Sequence, residues 1–385
     1  MKHVDEFRDK EHGARLIARI AQLVPQAQRA LGRASDQPVK LMEVCGGHTH
    51  TIFKYGLISL LPEALELVHG PGCPVCVLPI ARVDAAIALA RMPRALLCTY
   101  GDALRVPGSE LSLLQAKAQG ADVRTVYSPT DALQLALEQK EREVIFFGLG
   151  FETTAPSTAL VVLDAHAQGL ENFSVFSNHI TIMPTLQALL DTPNLQLDGF
   201  VGPGHVSMVI GQEPYSLVAN QYGKPLVIAG FEPLDVLQSL AMLLEQLAHG
   251  RAQIENQYAR VVRYEGSRAA QVVLEEVFEA RETFEWRGLG FIPSSGLQLR
   301  EKYAAFDAER RFPLQQVRVP DPKACQCGQV LTGTLQPWDC KVFGTTCTPE
   351  TPIGSCMVSS EGACAAYYNY GRLTTLRRTR SATRD

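Results

Sequence analysis

The sequence carries little net charge: over its 385 residues, 36 lysines and arginines stand against 40 aspartates and glutamates, a formal net charge of −4. It has no excess of positive charge with which to bind nucleic acid or an anionic membrane surface, and we expect neither as a partner. Long apolar runs are also missing, and the first ten residues are highly charged, without the apolar core of a signal peptide. These absences predict a cytoplasmic protein with no membrane segment.

The cysteines stand out in a composition that is otherwise typical of a globular protein, with 46% hydrophobic and 20% charged residues. In a reducing compartment, ten cysteines favour metal binding or redox chemistry over a framework of structural disulfides. Six of them fall between Cys325 and Cys364, and this clustering marks a separate module. Cys98 ends a predicted buried strand, and we interpret it as a core residue.

The first motif is Cys-Gly-Gly-His-Thr-His, residues 45–50, which follows a predicted strand. Its two glycines allow positive φ and a close approach of a ligand, and the polar residues after them can begin a helix. Cys45 would then lie near a helix N-terminus, where a thiolate is favoured. The alternative is a buried cysteine before a glycine turn, with the histidines satisfied by local hydrogen bonds.

The second motif, Cys73-Pro-Val-Cys76, again follows a predicted strand and a glycine-containing stretch. Its spacing is that of thioredoxin-type dithiols, in which the first cysteine begins a helix, is acidified by the helix dipole and exchanges with its neighbour. A structural zinc site, with Cys45 and a histidine completing four ligands, is the alternative. Against zinc, the loop supplies only one close pair of cysteines.

The third cysteine region has the spacing Cys-x-Cys-x12-Cys-x6-Cys-x8-Cys-x7-Cys over residues 325–364. It contains no Cys-x-x-Cys pair and no nearby histidine, which disfavours a zinc ribbon and favours an iron–sulfur cluster. A [4Fe–4S] cluster needs four thiolates, so two cysteines remain for a disulfide that the cluster could reduce. If their stretch is extended, Cys325 and Cys327 point the same way, one on iron and the other beside the cluster.

Before residue 250 the pattern alternates between strand and helix, and nearly all-apolar strands such as residues 143–148 indicate parallel sheets covered on both faces. We predict an α/β fold with two tandem Rossmann-like parallel-sheet domains, followed by a helical, cysteine-rich [4Fe–4S] domain. Charged helices at 254–260 and 268–278 are expected to begin that last domain. The predicted segments are an N-terminal helix and linker at 1–38, the first α/β domain with the two cysteine loops at 39–152, the second α/β domain at 153–250, and the iron–sulfur domain at 251–385.

Glycine-containing loops follow several of the predicted strands. Ligands of open parallel sheets bind beyond the carboxyl ends of the strands, so we expect these loops and the two cysteine loops to face a common cleft. The alternative is that each is only a tight turn between strand and helix. The loops are Tyr100-Gly-Asp, Gly148-Leu-Gly-Phe-Glu-Thr-Thr-Ala-Pro, Gly202-Pro-Gly-His and Gly230-Phe-Glu-Pro.

Four motifs give the chain a resemblance to a known family. They are the first motif at 45–50, Gly-Pro-Gly-Cys-Pro-Val-Cys at 70–76, Gly-Phe-Glu-Thr-Thr-Ala-Pro at 150–156 and Ser-Ser-Glu-Gly-Ala-Cys at 359–364. Over nearly its whole length the chain resembles HypD, the family of maturation factors of [NiFe] hydrogenases. The resemblance implies two α/β domains and a [4Fe–4S] domain. It also implies that the protein and the small chaperone HypC form the scaffold on which an Fe(CN)2CO unit is transiently assembled, with HypE supplying the cyanide.

The resemblance also implies roles for individual residues. Cys45 would ligate the iron of Fe(CN)2CO together with a cysteine from HypC, and Cys73 and Cys76 would be the dithiol beside it. His48 could then hydrogen-bond the Cys45 sulfur or orient a cyanide ligand. In the tail, similarity of the family to ferredoxin:thioredoxin reductase suggests Cys325, Cys340, Cys347 and Cys364 as the cluster ligands and Cys327 with Cys356 as the redox pair.

The chemistry of the cysteine motifs and the resemblance to the HypD family both predict a redox-active scaffold. Low-spin iron that carries cyanide and carbon monoxide suits thiolate ligands, and converting a thiocyanate-level carbon to bound cyanide consumes electrons that dithiols and a cluster could relay. One alternative is a stand-alone, iron–sulfur-dependent thiol–disulfide oxidoreductase. Another is a non-catalytic interaction module stabilised by zinc.

Overall fold

A computed structural model describes residues 8–193, 195–314 and 318–371. The strands are β1 (Val39–Glu43), β2 (Leu65–His69), β3 (Ala95–Thr99), β4 (Val123–Thr125), β5 (Glu143–Gly150), β6 (Phe173–His179), β7 (Gly199–Pro203), β8 (Leu226–Ala229), β9 (Ile254–Asn256), β10 (Phe278–Ala280), β11 (Thr283–Trp286), β12 (Gly290–Pro293) and β13 (Leu297–Leu299). The helices are α1 (Lys10–Ala30), α2 (Gly46–Lys54), α3 (Ile80–Ala90), α4 (Leu113–Ala118), α5 (Pro129–Glu138), α6 (Ala155–Ala167), α7 (Ile182–Leu190), α8 (Gly204–Ile210), α9 (Ser216–Tyr222), α10 (Pro233–Ala248), α11 (Arg268–Val277), α12 (Ala308–Arg311), α13 (Cys327–Leu331) and α14 (Ala363–Ala366). Within these residues, no helix is both long and apolar enough to cross a membrane.

Two parallel sheets form the framework of the molecule. The first has the strand order β2-β1-β7-β8-β9 and the second the order β4-β3-β5-β6, and every pairing within them is parallel. Strands β3 and β6 are buried at every position, as expected for strands with both faces covered. The predicted α/β class with two parallel sheets is therefore confirmed.

The order of the sheets along the chain differs from the tandem arrangement. Strand β1 pairs with β2 on one side and with β7 on the other, so residues 39–69 and 199–256 build one sheet. The second sheet is formed by strands from residues 95–179, between those two stretches, and the predicted boundary after residue 152 falls inside it. Apolar periodicity identifies strands but does not reveal which strands pair, and this is why the sequence suggested consecutive sheets.

The N-terminal helix is confirmed as one amphipathic helix, α1, which continues through Pro25. Asp9 caps it by accepting a hydrogen bond from the His12 N–H at 2.6 Å. Its apolar face packs along α10 against the first sheet. The predicted segments at the two ends of the chain extend into residues 1–7 and 372–385, which lie outside the described residues.

The region after residue 250 differs in part from the prediction. Residues 254–260 do not form a helix, because Ile254 pairs with Leu226 and β9 extends the first sheet at its edge. The next predicted helix is present as α11. Two short antiparallel pairs, β10–β13 and β11–β12, follow, and the cysteine-rich end contains only short helices joined by turns.

Candidate functional site

A cleft of about 930 Å³ lies where the carboxyl ends of strands from both sheets meet. Both cysteine loops and residues of the loops after β3, β5 and β7 contribute to its wall, so the expected common cleft is present. The cysteine-rich end of the chain closes one side through the stretch 359–361. Residues with reactive or polar groups on the wall include Cys45, Cys73, Tyr100, Asp102, His205 and Glu361.

Cys45 is the residue immediately before α2, and its backbone is extended with φ −148° and ψ 121°. Gly46 and Gly47 follow it without adopting positive φ. Glycine is required at both positions because neighbouring side chains approach the backbone closely. A Cβ at Gly46 would overlap Glu361, and one at Gly47 would lie 2.7 Å from the Phe231 ring. Two glycines therefore allow the Cys45 loop to pack directly against neighbouring side chains.

His205 lies beside the Cys45 sulfur, with its Nδ1 3.6 Å from Sγ. It lies at the start of α8 and stacks on Phe231 with ring centroids 3.9 Å apart. Burial of the ring lowers the pKa of His205 to about 4, and the charge of the nearby His48 contributes to this shift. The ring is therefore neutral near pH 7. The sequence motifs did not single out this histidine, although Gly202-Pro-Gly-His was among the loops expected at the cleft.

His48 does not have the predicted contact with the Cys45 sulfur. Its Nε2 lies 3.1 Å from the Ala229 carbonyl, its ring also stacks on Phe231 with centroids 4.8 Å apart, and its Nδ1 has no hydrogen-bond partner among the described residues. Burial lowers the pKa of His48, so the ring is neutral. The physical reason for the difference is that a side chain in the first turn of α2 packs onto β8 rather than turning back across the glycines.

Burial raises the pKa of Cys45 far above its ordinary value. The charge of Glu361 adds to this effect, while the N–H groups of Gly47 and His205 oppose it only partly. Proximity to the N-terminus of α2 was expected to favour the thiolate, but loss of hydration is the larger effect here. The thiol is therefore protonated near pH 7.

Glu361 is a second residue of the cleft that was not singled out from the sequence, although it lies in the Ser-Ser-Glu-Gly-Ala-Cys motif. Its pKa is raised by burial first, and then by the charges of Asp102 and Glu43. The carboxyl group lies against Gly46, beside the Cys45 loop. It is therefore placed to hold or release a proton next to the cysteine.

Cys73 and Cys76 lie together in the second loop, and both are buried. The Cys76 N–H donates a hydrogen bond to Cys73 Sγ at 3.3 Å. Neither residue begins a helix: the loop is a turn and α3 starts only at Ile80, which corrects the thioredoxin-like expectation. Burial, and then the neighbouring Cys73, raise the pKa of Cys76 well above its ordinary value. Cys73 faces the cleft, and Cys76 lies outside its wall.

The dithiol loop is in contact with the cysteine-rich end of the chain. Ser355 Oγ donates a hydrogen bond to the Cys76 carbonyl, and a Cβ at Gly362 would lie 2.9 Å from Cys76 Sγ. Cys356, adjacent to Ser355, forms a disulfide with Cys327 across a Cα–Cα distance of 6.6 Å. The pair suggested by the family resemblance is thus bonded in the structure, next to the dithiol.

The other four tail cysteines influence one another electrostatically. Burial raises the pKa of Cys364, and the charges of Cys347, Cys325 and Cys340 raise it further, in that order. In the described ranges, no three Cys, His, Asp or Glu side chains are arranged to hold one metal ion. The stretch before Cys327 is not extended as expected, because Gln326 has ψ 26° and Cys327 begins α13.

Comparison with known proteins gives a consistent result. The family model described as "HypD: Hydrogenase formation hypA family" matches residues 16–371. The chain is 57% identical over 375 residues to hydrogenase maturation factor HypD of Rhodobacter capsulatus, covering 96% of this chain and 98% of that protein. It is 55% identical to HypD of Azotobacter vinelandii, covering 97% of each, and 52% identical to HypD of Escherichia coli, covering 96% and 98%. The chain therefore belongs to the HypD family of hydrogenase maturation factors.

Proposed function

We propose that this protein is the redox-active scaffold on which the Fe(CN)2CO unit of a [NiFe] hydrogenase is assembled, the iron unit being its cargo. The observation that carries the proposal is the arrangement of sulfur atoms: Cys45 and Cys73 share one cleft, and Cys76 lies next to the Cys327–Cys356 disulfide. One side of this arrangement can hold iron, and the other can deliver electrons to it.

Cys45 is the proposed ligand of the iron on this chain. A soft, low-spin iron centre favours a thiolate, and a thiol whose pKa is raised by burial becomes a thiolate when the metal displaces its proton. His205, whose neutral ring has Nδ1 3.6 Å from Sγ, can orient the sulfur. A cleft of about 930 Å³ leaves room for a segment of a partner. We propose a HypC-type chaperone as the source of a second cysteine ligand and a HypE-type protein as the cyanide donor.

Cys73 and Cys76 are the proposed electron donors at the cleft. Cleavage of the sulfur–carbon bond of a thiocyanate takes up two electrons, which the two thiols supply as they form a disulfide and release two protons. One proton goes to the sulfur that loses the cyanide, and a group such as Glu361 can take the other. Cys327 and Cys356, once reduced, regenerate the dithiol by thiol–disulfide exchange, because the two pairs lie next to each other.

The remaining tail cysteines fit a [4Fe–4S] cluster better than a single zinc ion. The region offers four sulfur donors and no histidine, and no three candidate ligands in the described chain converge on one point, as a zinc ion requires. When bound by Cys325, Cys340, Cys347 and Cys364, a cluster supplies electrons one at a time. Cys327 lies two residues from Cys325, so its disulfide can accept these electrons within the same module.

The test is the infrared spectrum of protein purified anaerobically with its chaperone partner. The wild type is expected to show cyanide and carbonyl stretches, and Cys45→Ala to lose them. Cys98→Ala is the matched control, because Cys98 is equally buried but lies in β3 away from the cleft. Unchanged bands in Cys45→Ala would move the iron to another ligand, and absent bands in an active wild type would favour the thiol–disulfide oxidoreductase.

A further inference from the structure

We infer that Glu43 is a positioning residue that holds the Cys45 loop and the dithiol loop in one fixed arrangement. Glu43 is the last residue of β1, two residues before Cys45, and only 2% of its surface is exposed. Its carboxylate accepts hydrogen bonds from the Cys45 N–H at 3.0 Å, from the Thr49 hydroxyl and from His69 Nδ1 at 2.8 Å. Three donors therefore converge on one buried carboxylate beneath the cleft.

The three donors come from different parts of the site. Cys45 belongs to the first loop, Thr49 to α2, and His69 ends β2, four residues before Cys73. Strand register brings Glu43 and His69 side by side, and the Gly70 N–H donates to the Glu43 carbonyl at 2.8 Å. Glu43 thus links the end of β1, the start of α2 and the beginning of the dithiol loop through a single residue.

A purely structural role explains this arrangement poorly. Burying this carboxylate is costly, because the described residues give it a histidine partner but no Lys or Arg partner. A carboxylate can accept a hydrogen bond from the Cys45 N–H, which an apolar side chain cannot. This hydrogen bond fixes the backbone of Cys45, whose Sγ lies beside His205. Thr49 and His69 in turn fix the carboxylate, so it cannot rotate away.

The two roles differ in their effect on the sulfur. A residue that only stabilises the fold would lower stability when replaced and leave the reactivity of Cys45 in the folded protein unchanged. A positioning residue would free the loop, move Sγ from its place beside His205 and expose it to reagents. The inference relies on the proposed function only for the statement that Cys45 binds iron, and the position of Cys45 can be measured without iron.

The experiment is the rate of alkylation of Cys45 by iodoacetamide in the full chain, prepared anaerobically without partners and read by peptide mass spectrometry. Loss of a hydrogen bond to a charged acceptor predicts that Cys45 in Glu43→Ala reacts about tenfold faster or more. Glu43→Gln keeps an acceptor oxygen for the Cys45 N–H and should stay within about threefold of wild type. Thr49→Val, which removes one support of the carboxylate at nearly constant shape, should give a smaller increase.

Asp198→Asn is the matched control. Asp198 is also a buried carboxylate, and it accepts the backbone N–H of Lys40 at 2.7 Å at the opposite end of β1. Its replacement should lower the melting temperature without changing the alkylation of Cys45. Wild-type rates in both Glu43→Ala and Thr49→Val would overturn the inference. If Glu43→Ala does not fold, the other two variants test the inference. Faster alkylation of Cys45 in Thr49→Val, with a near-wild-type rate in Glu43→Gln, would support the positioning role.

Infrared spectra of the same variants separate this inference from the proposed function. If the wild type shows no cyanide or carbonyl bands while Glu43→Ala alkylates faster, positioning stands and the scaffold proposal fails. If the wild type shows the bands and Glu43→Ala matches Asp198→Asn in both rate and band positions, the scaffold stands and positioning fails.

Discussion

Nδ1 of His205 lies 3.6 Å from Sγ of Cys45, although 160 positions separate the two residues in the chain. Parallel pairing of β1 with β7 causes this proximity: Leu41 pairs with Gly199, so both strands end at the same edge of the sheet. Helices α2 and α8 therefore begin side by side, one just after Cys45 and the other just before His205. The contact follows from the sheet topology and not from any local motif.

His205→Ala is expected to weaken the retention of iron at Cys45 while leaving the fold and the tail cysteines unchanged. Groups that orient a metal ligand typically change metal affinity by about 10- to 100-fold. The measurement is iron content after gel filtration, together with the position of the infrared bands. His249→Ala is the control, because His249 is exposed at the end of α10. Equal iron retention in both variants would remove His205 from the site.

Cys76→Ser is expected to abolish hydrogenase maturation without loss of folding, because Cys73 then has no thiol partner with which to form a disulfide. The readout is processed, active hydrogenase in cells that carry the variant, with circular dichroism of the purified protein as the folding check. Cys98→Ala, another buried cysteine, should support normal maturation. Normal maturation by Cys76→Ser would leave the second loop with a purely structural role.

The fold class was largely readable from the sequence because it depends on local patterns. The nearly all-apolar run at residues 143–148 predicted β5, and the N-terminal helix predicted within residues 1–38 is α1. The strand pairing was not readable, because it depends on contacts between distant stretches such as β1 and β7. Residues 254–260 were assigned to a helix, but Ile254–Asn256 pair with β8 as strand β9 at the edge of the first sheet, and a turn follows them.

The site was predicted only where a motif is local. Cys45, Cys73 and Cys76 were found from glycine and cysteine spacing, and all belong to the two loops that meet at the cleft. His205 and Glu361 lack such spacing, and only the fold brings them to Cys45. The direction of the pKa shift of Cys45 was also missed, because burial cannot be read from a motif that shows a helix N-terminus.

Anaerobically purified protein is expected to contain about four irons in the tail in addition to any iron at Cys45. Cys364→Ala should lose this iron and its visible absorption, since Cys364 is buried and the charges of the other three proposed ligands act on its thiol. Cys98→Ala should keep both. Metal analysis and absorption spectra provide the measurement, and one zinc per chain without cluster absorption would contradict the assignment.

Glu152 predicts a pH dependence of folding stability. Its Oε1 accepts the Ile182 N–H at 2.9 Å, while its buried Oε2 has no hydrogen-bond partner. Burial raises the pKa of this carboxyl to about 7, against about 4.3 in an unfolded chain. Between these values the unfolded state releases a proton that the folded state retains, so stability falls as the pH rises. From pH 5 to pH 8 the loss is on the order of 2–3 kcal/mol.

Glu152→Gln should abolish most of this pH dependence, because the amide keeps an acceptor for the Ile182 N–H and carries no charge. The measurement is urea unfolding at several pH values, followed by the fluorescence of the buried Trp286. Glu309→Gln is the informative control: burial opposes ionisation of Glu309, but Arg82 and Arg281 outweigh it and lower its pKa to about 2. That carboxyl stays ionised in both states above pH 5, so its replacement should lower stability by a nearly constant amount there. A stability difference between wild type and Glu152→Gln that does not vary from pH 5 to pH 8 would mean that the unpartnered oxygen is hydrated in solution.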